Sequence, residues 1–162
     1  MEVSFLEQVK TQSRILVPFV KALRQEMGEQ RANEFVKSVL GNLYREYGKA
    51  YWAKQETDSV NKKLNALWDM FAGGEALDYD VVSDTPDEFN LDIKRCGYAE
   101  FFKELGEPEM GFLFCCSSDV PMSEGFGTAV KLEVKQTIMQ GASHCEFRYR
   151  FHEANDSARS DA

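Results

Sequence analysis

An α+β fold is predicted for this chain by three features of its sequence. The apolar period is helical over roughly the first 72 residues, it switches to alternation near Leu77, and alternation returns in a long run close to the C-terminus. The expected architecture is three N-terminal helices packed on an antiparallel sheet of about four strands. The strands form two hairpins, with two short helices between them. One domain over 1–152 is expected, and 153–162 (EANDSARSDA) reads as a disordered tail without apolar periodicity.

Ile15, Phe19, Leu23 and Met27 follow an i, i+4 stripe, with Leu16 and Val20 beside it. Pro18 inside this pattern predicts a kink or a break, and Gly28 an end. A second helix is expected from about Gln30 to about Tyr47, on Phe35, Val36, Val39, Leu40 and Leu43. A third begins near Asp58 or Ser59, either of which can cap it, and stops at Gly73-Gly74. Leu77, Tyr79 and Val81 then alternate with Asp78, Asp80 and Val82, Thr85-Pro86-Asp87 supplies a turn, and Phe89, Leu91 and Ile93 alternate again. A helix is expected over Tyr98–Leu105, and Pro108 to Cys116 reads either as a further helix or, in GFLFCC, as a short buried strand. Val130, Leu132, Val134 and Ile138 share one face of a strand. After Gln140-Gly141, Cys145, Phe147, Tyr149 and Phe151 share one face of the next, with Arg148 outward.

The net charge of −8 and pI near 4.9 argue against nucleic acid as a partner, because an acidic chain repels phosphates. The start MEVSFLEQVK lacks the basic-then-apolar order of a signal peptide, and no long apolar run reads as a membrane span, so a cytoplasmic protein is expected. In that compartment Cys96, Cys115, Cys116 and Cys145 are read as thiols rather than disulfides. The wide apolar faces of the first two helices exceed what one sheet face can cover, which predicts a homodimer through them.

Polar residues on apolar faces mark candidate site positions. Gln136 falls on the Val130–Ile138 face, where a turn at Gln140-Gly141 sets it opposite Cys145. This is either a satisfied core glutamine beside a small buried thiol or a pocket wall with an amide and a nucleophile. Cys116 and Asp119 form a C-x-x-D pair one helical turn apart. They are either a buried cysteine and a capping aspartate or, with Cys145, candidate ligands for zinc or another divalent metal. Cys96 opens a helix, a position that lowers a thiol pKa, or it is a small core residue. His144 has parity opposite to Cys145 but sits at a turn, where parity is unreliable, so it remains a candidate ligand, base or substrate contact.

The stretch RCGYAEFFKELGEPEMGFLFCCSSD, followed by KQTIMQGASHCEFRYR, resembles the L-2-amino-thiazoline-4-carboxylic acid hydrolase family. The likeness is carried by Cys96 opening a helix, by Cys116 and Asp119, and by Gln136, Thr137, Gly141, Cys145, Glu146, Phe147 and Arg148. It implies hydrolysis of a cyclic amidine, a 2-amino-thiazoline, to an N-carbamoyl cysteine-like product. Cys96, Cys116, Asp119 and Cys145 would be the catalytic groups, and Gln136 and His144 would contact a small-molecule substrate. The same order of elements also resembles vinyl-reductase-type domains that bind small molecules, which implies a sensor or carrier as the alternative.

Overall fold

The computed structural model describes residues 3–152; the expected tail lies outside them. Three helices come first, α1 (Phe5–Met27), α2 (Glu29–Lys54) and α3 (Val60–Ala72). Strands β1 (Leu77–Asp84) and β2 (Glu88–Cys96) follow, then α4 (Gly97–Glu104), α5 (Pro108–Phe114) and α6 (Asp119–Glu124), and last β3 (Val130–Gln136) and β4 (Cys145–Phe151). The four strands form one antiparallel sheet in the order β1-β2-β4-β3, so β4 docks on β2 and joins the two hairpins. The α+β class and the N-terminal helices followed by the sheet are as expected. Three short helices stand between the hairpins rather than two, because Cys116–Ser118 forms a 3-10 turn that leads directly into α6.

Local chemistry explains most boundaries. Ser4 and Ser59 cap α1 and α3, accepting hydrogen bonds from the Glu7 and Lys62 N–H groups. Gly28, at φ +87°, separates α1 from α2 in a conformation costly for other residues. Thr85 Oγ1 accepts from the Asp87 and Glu88 N–H groups and closes the first hairpin. Helix α1 runs undivided through Pro18, which leaves the kink of the two outcomes expected there. Helix α2 continues seven residues past Tyr47. Gly48, inside it, is a point of contact, because a Cβ there would stand 2.1 Å from the Met122 carbonyl oxygen of α6.

The interior has two parts. One lies on the sheet, where Leu64, Leu67, Trp68 and Phe71 of α3 meet Phe89, Leu91, Phe147 and Tyr149 of the strands. Trp52 of α2 stacks on Phe126 there, with centroids 4.4 Å apart. The other lies between helices, where Val9, Val17 and Val20 of α1 meet Val36, Phe102, Met110 and Phe114. Phe5, Leu77, Cys96 and Ile138 touch both. The buried face of α1 is therefore not the stripe read from the sequence. Ile15 is 74% exposed and Phe19 59%, and on α2 Phe35, Val39 and Leu43 are also exposed. No helix among the described residues is long and apolar enough to cross a membrane.

Candidate active site

Strand β2 ends at Cys96, which is also the N-cap of α4. Its sulfur accepts the Ala99 N–H at 3.4 Å, so the thiol is held at the start of that helix. Gly97 donates its N–H to the Ala76 carbonyl at 2.7 Å, and a Cβ there would stand 3.0 Å from the same oxygen. This close approach fixes where β2 turns into α4. Helix α5 ends at Phe114 with Cys115 as its C-cap, Cys116 begins the 3-10 turn, and Asp119 is the first residue of α6. Strand β4 begins with Cys145, paired across the sheet with Ile93, and its Sγ accepts the Ile138 N–H at 3.2 Å.

These ends meet at one cavity. All four cysteines and Asp119 line it. Its walls are aromatic, with Phe5, Trp68, Phe71 and Tyr98 on one side and Tyr44 and Phe147 completing it. A water-sized sphere can place its centre over about 80 Å³ of this space. That is several times the roughly 10–15 Å³ needed by one water, and enough for a small heterocycle.

Burial dominates the electrostatics. It pushes the Asp119 carboxyl up to about 8, so at neutral pH most of it carries a proton. Burial raises the Cys145 thiol to about 11, against the lowering effect of the Ile138 N–H. Cys96 is also raised, burial outweighing the N–H groups of Ala99 and Tyr98. The lowered pKa expected from its helix N-terminus is thus overridden. Cys115 and Cys116 are raised by burial first, and then by the neighbouring Asp119. In the resting site the sulfurs are thiols and the carboxyl is the most readily ionised group.

Gln136 and His144 lie elsewhere. A register shift between Val134 and Gln136 pairs Gln136 with Glu146, not with Cys145 as its parity predicted. The irregularity turns its side chain to the outer face of the sheet, where its amide donates to the His144 carbonyl at 3.2 Å. His144 Nε2 stands 3.1 Å from Glu146 Oε1, and Arg148 bridges Glu146 and Asp92 at 3.1 and 2.8 Å. Neither Gln136 nor His144 lines the cysteine cavity; Gln136 lines an adjacent one, shared with Cys116 and Thr137. Arg148 is outward, as expected.

Cys116, Asp119 and Cys145 were also candidate metal ligands. Among the described residues no group of three or more His, Cys, Asp or Glu is arranged to hold a metal ion.

Sequence reasoning missed Tyr44, Tyr98, Cys115 and Thr137 as lining groups. Tyr44 had a signal: it lies between Gly41 and Gly48, two helix-interior glycines that mark the face against α6. Thr137 follows the irregular end of β3, is buried, and caps the 3-10 turn at Ile138–Gln140 by accepting the Gln140 N–H. Cys115 is adjacent to Cys116, and nothing in its sequence surroundings distinguishes it.

The fold and cavity define a small α+β protein with a buried cavity lined by thiols and one carboxyl. The profile of the L-2-amino-thiazoline-4-carboxylic acid hydrolase family matches residues 8–149, and the chain belongs to that family. None of the curated proteins compared with it matches the chain.

Proposed function

We propose that the cavity opens the ring of a 2-amino-thiazoline, a cyclic isothiourea, giving a ureido thiol of the N-carbamoyl cysteine kind. The observation that carries this reading is the convergence of Cys145, Cys96 and the Cys116–Asp119 pair, from three separate chain segments, on one cavity sized for a small heterocycle. The family match supports the same chemistry.

Cys145 is the nucleophile in this reading, because its sulfur already accepts an N–H that favours developing negative charge. Its Sγ attacks the isothiourea carbon while its proton passes to the ring nitrogen. The ring C–S bond then breaks, and the departing sulfur takes the Asp119 proton. The carboxylate so formed faces the cationic S-amidino adduct. Water adds to the adduct carbon and returns a proton to Asp119. Collapse to the carbonyl expels Cys145 sulfur, which recovers its proton from the new hydroxyl. One water is consumed, and both residues return to their resting protonation states. A carboxyl near 8 suits this alternation, since it gives and regains a proton close to neutral pH.

A thiol reagent reads the reaction directly. Incubation with 2-amino-thiazolines, with and without a 4-carboxylate, is expected to release one thiol per ring. Cys145→Ser should lower the rate at least ~10³-fold and Cys96→Ser far less. Absence of thiol release from both rings would refute the ring-opening reading. The mostly apolar, aromatic cavity favours a second one, a binding domain without turnover, in which a ligand raises the melting temperature and releases no thiol.

A further inference from the structure

The outward side of the α1–α2 pair carries an apolar surface that nothing in the protomer covers. On α2, Phe35, Val39, Leu43 and Tyr47 follow one another at every fourth residue and are 54%, 50%, 61% and 40% exposed. On α1, Ile15 and Phe19 are exposed in the same way. The two stripes adjoin. Phe19 precedes Val20 and Phe35 precedes Val36, and Val20 and Val36 belong to the interior that the two helices share. The six side chains leave roughly 700 Å² in solvent, above the largest apolar patch of an ordinary monomer and close to the ~800 Å² that each partner buries in a stable interface.

Charges at the ends of the α2 stripe identify its cover. Arg31 lies one helical turn before Phe35, and Glu46 lies three residues after Leu43, so both ride on the stripe's side of the helix. Both are exposed, and neither forms an ion pair among the described residues. Val39 stands midway between them to within one residue. A two-fold axis at Val39, with the two α2 helices antiparallel, sets Phe35 against the partner's Leu43 and Arg31 against the partner's Glu46. The axis then repeats both contacts in reverse, which is the self-complementarity that an isologous interface requires. The chain's own last ten residues do not match the surface, because 153–162 hold no apolar side chain larger than alanine.

We propose that the chain is a two-fold homodimer in which α2 meets its counterpart antiparallel at Val39. Ile15 and Phe19 of α1 enclose that contact, and Arg31 pairs with the partner's Glu46. This assembly does not depend on the chemistry of the cysteine cavity.

Sedimentation equilibrium of the full chain at micromolar concentration is expected to give twice 18.5 kDa. Leu43→Glu places a charge inside the contact and should give the 18.5 kDa monomer with the wild-type far-UV spectrum, because the side chain is exposed in the protomer. Arg31→Glu should weaken association at least ten-fold, since the two-fold axis repeats the repulsion. Adding Glu46→Arg to it should restore association to within three-fold of wild type, a rescue that a merely structural loss would not show. A wild-type mass of 18.5 kDa throughout, with or without binding to lipid vesicles, overturns the proposal, as does a Leu43→Glu chain that stays dimeric. A double variant that associates no better than Arg31→Glu alone overturns the antiparallel pairing at Val39.

Discussion

Asp119→Asn is expected to give a chain that is more stable at pH 8 yet slower in ring opening by ~10²–10⁴-fold. Both effects have one cause. In the folded protein the carboxyl is raised by burial from 3.8 to about 8. A group whose folded pKa lies above its unfolded value contributes stability that is fully present below the unfolded pKa and is lost as pH rises through the folded one. Asp119 therefore weakens the fold progressively between about pH 4 and pH 8, and asparagine removes that loss. The side chain keeps part of its surface open to the cavity, which moderates the gain to ~1–2 kcal/mol. Urea denaturation of both chains at pH 5 and pH 8 should show a clearly larger difference at the higher pH. The same ionisation governs catalysis. The proton that Asp119 gives the departing sulfur is lost above about pH 8, so kcat falls as pH rises past that value. A kcat unchanged between pH 7 and pH 10 would detach Asp119 from that proton transfer.

The second large effect is expected at the crossing of α2 and α6. A Cβ at Gly48 would stand 2.1 Å from the Met122 carbonyl oxygen, and one at Gly125 would stand 2.1 Å from the Arg45 carbonyl oxygen and 2.7 Å from the Lys49 nitrogen. All of these atoms are backbone, so relief requires separating the helices. Gly48→Ala should cost about 3 kcal/mol, more than its gain in helix propensity returns. Because α6 begins with Asp119, the separation also shifts the carboxyl, and activity should fall in the surviving folded fraction. Denaturation midpoints and specific activity measured together check this. A midpoint equal to wild type would mean that the two helices do not meet through their backbones.

The fold was largely legible because its elements carry strong local signals. Period-two alternation marks β2 and β4, serines cap α1 and α3, and glycines end them. The faces were less legible. Ile15 and Phe19 form the most regular apolar stripe of α1, yet Val9, Val17 and Val20 are the side buried, because periodicity shows that faces exist without showing what covers them. Gln136 was misplaced for a different reason. A one-residue irregularity in β3 reverses parity, and nothing in the alternation of Val130 to Lys135 announces it. The cysteines and Asp119 could be named from their motifs. Their meeting in one cavity could not, since it depends on α4, α5 and α6 folding back between two hairpins.

The seam between the two interiors has a dynamic consequence. Phe5 and Cys96 belong to the cavity wall and also to both apolar clusters, so a ligand there would rivet the helical half of the molecule to its sheet. Without it, the halves can open as separate cooperative units, each at its own free energy. With it, the cheaper opening becomes as rare as the costlier one. Amide hydrogen exchange should then slow in α4 and α5 when the site is filled, even though most of their residues never touch the ligand.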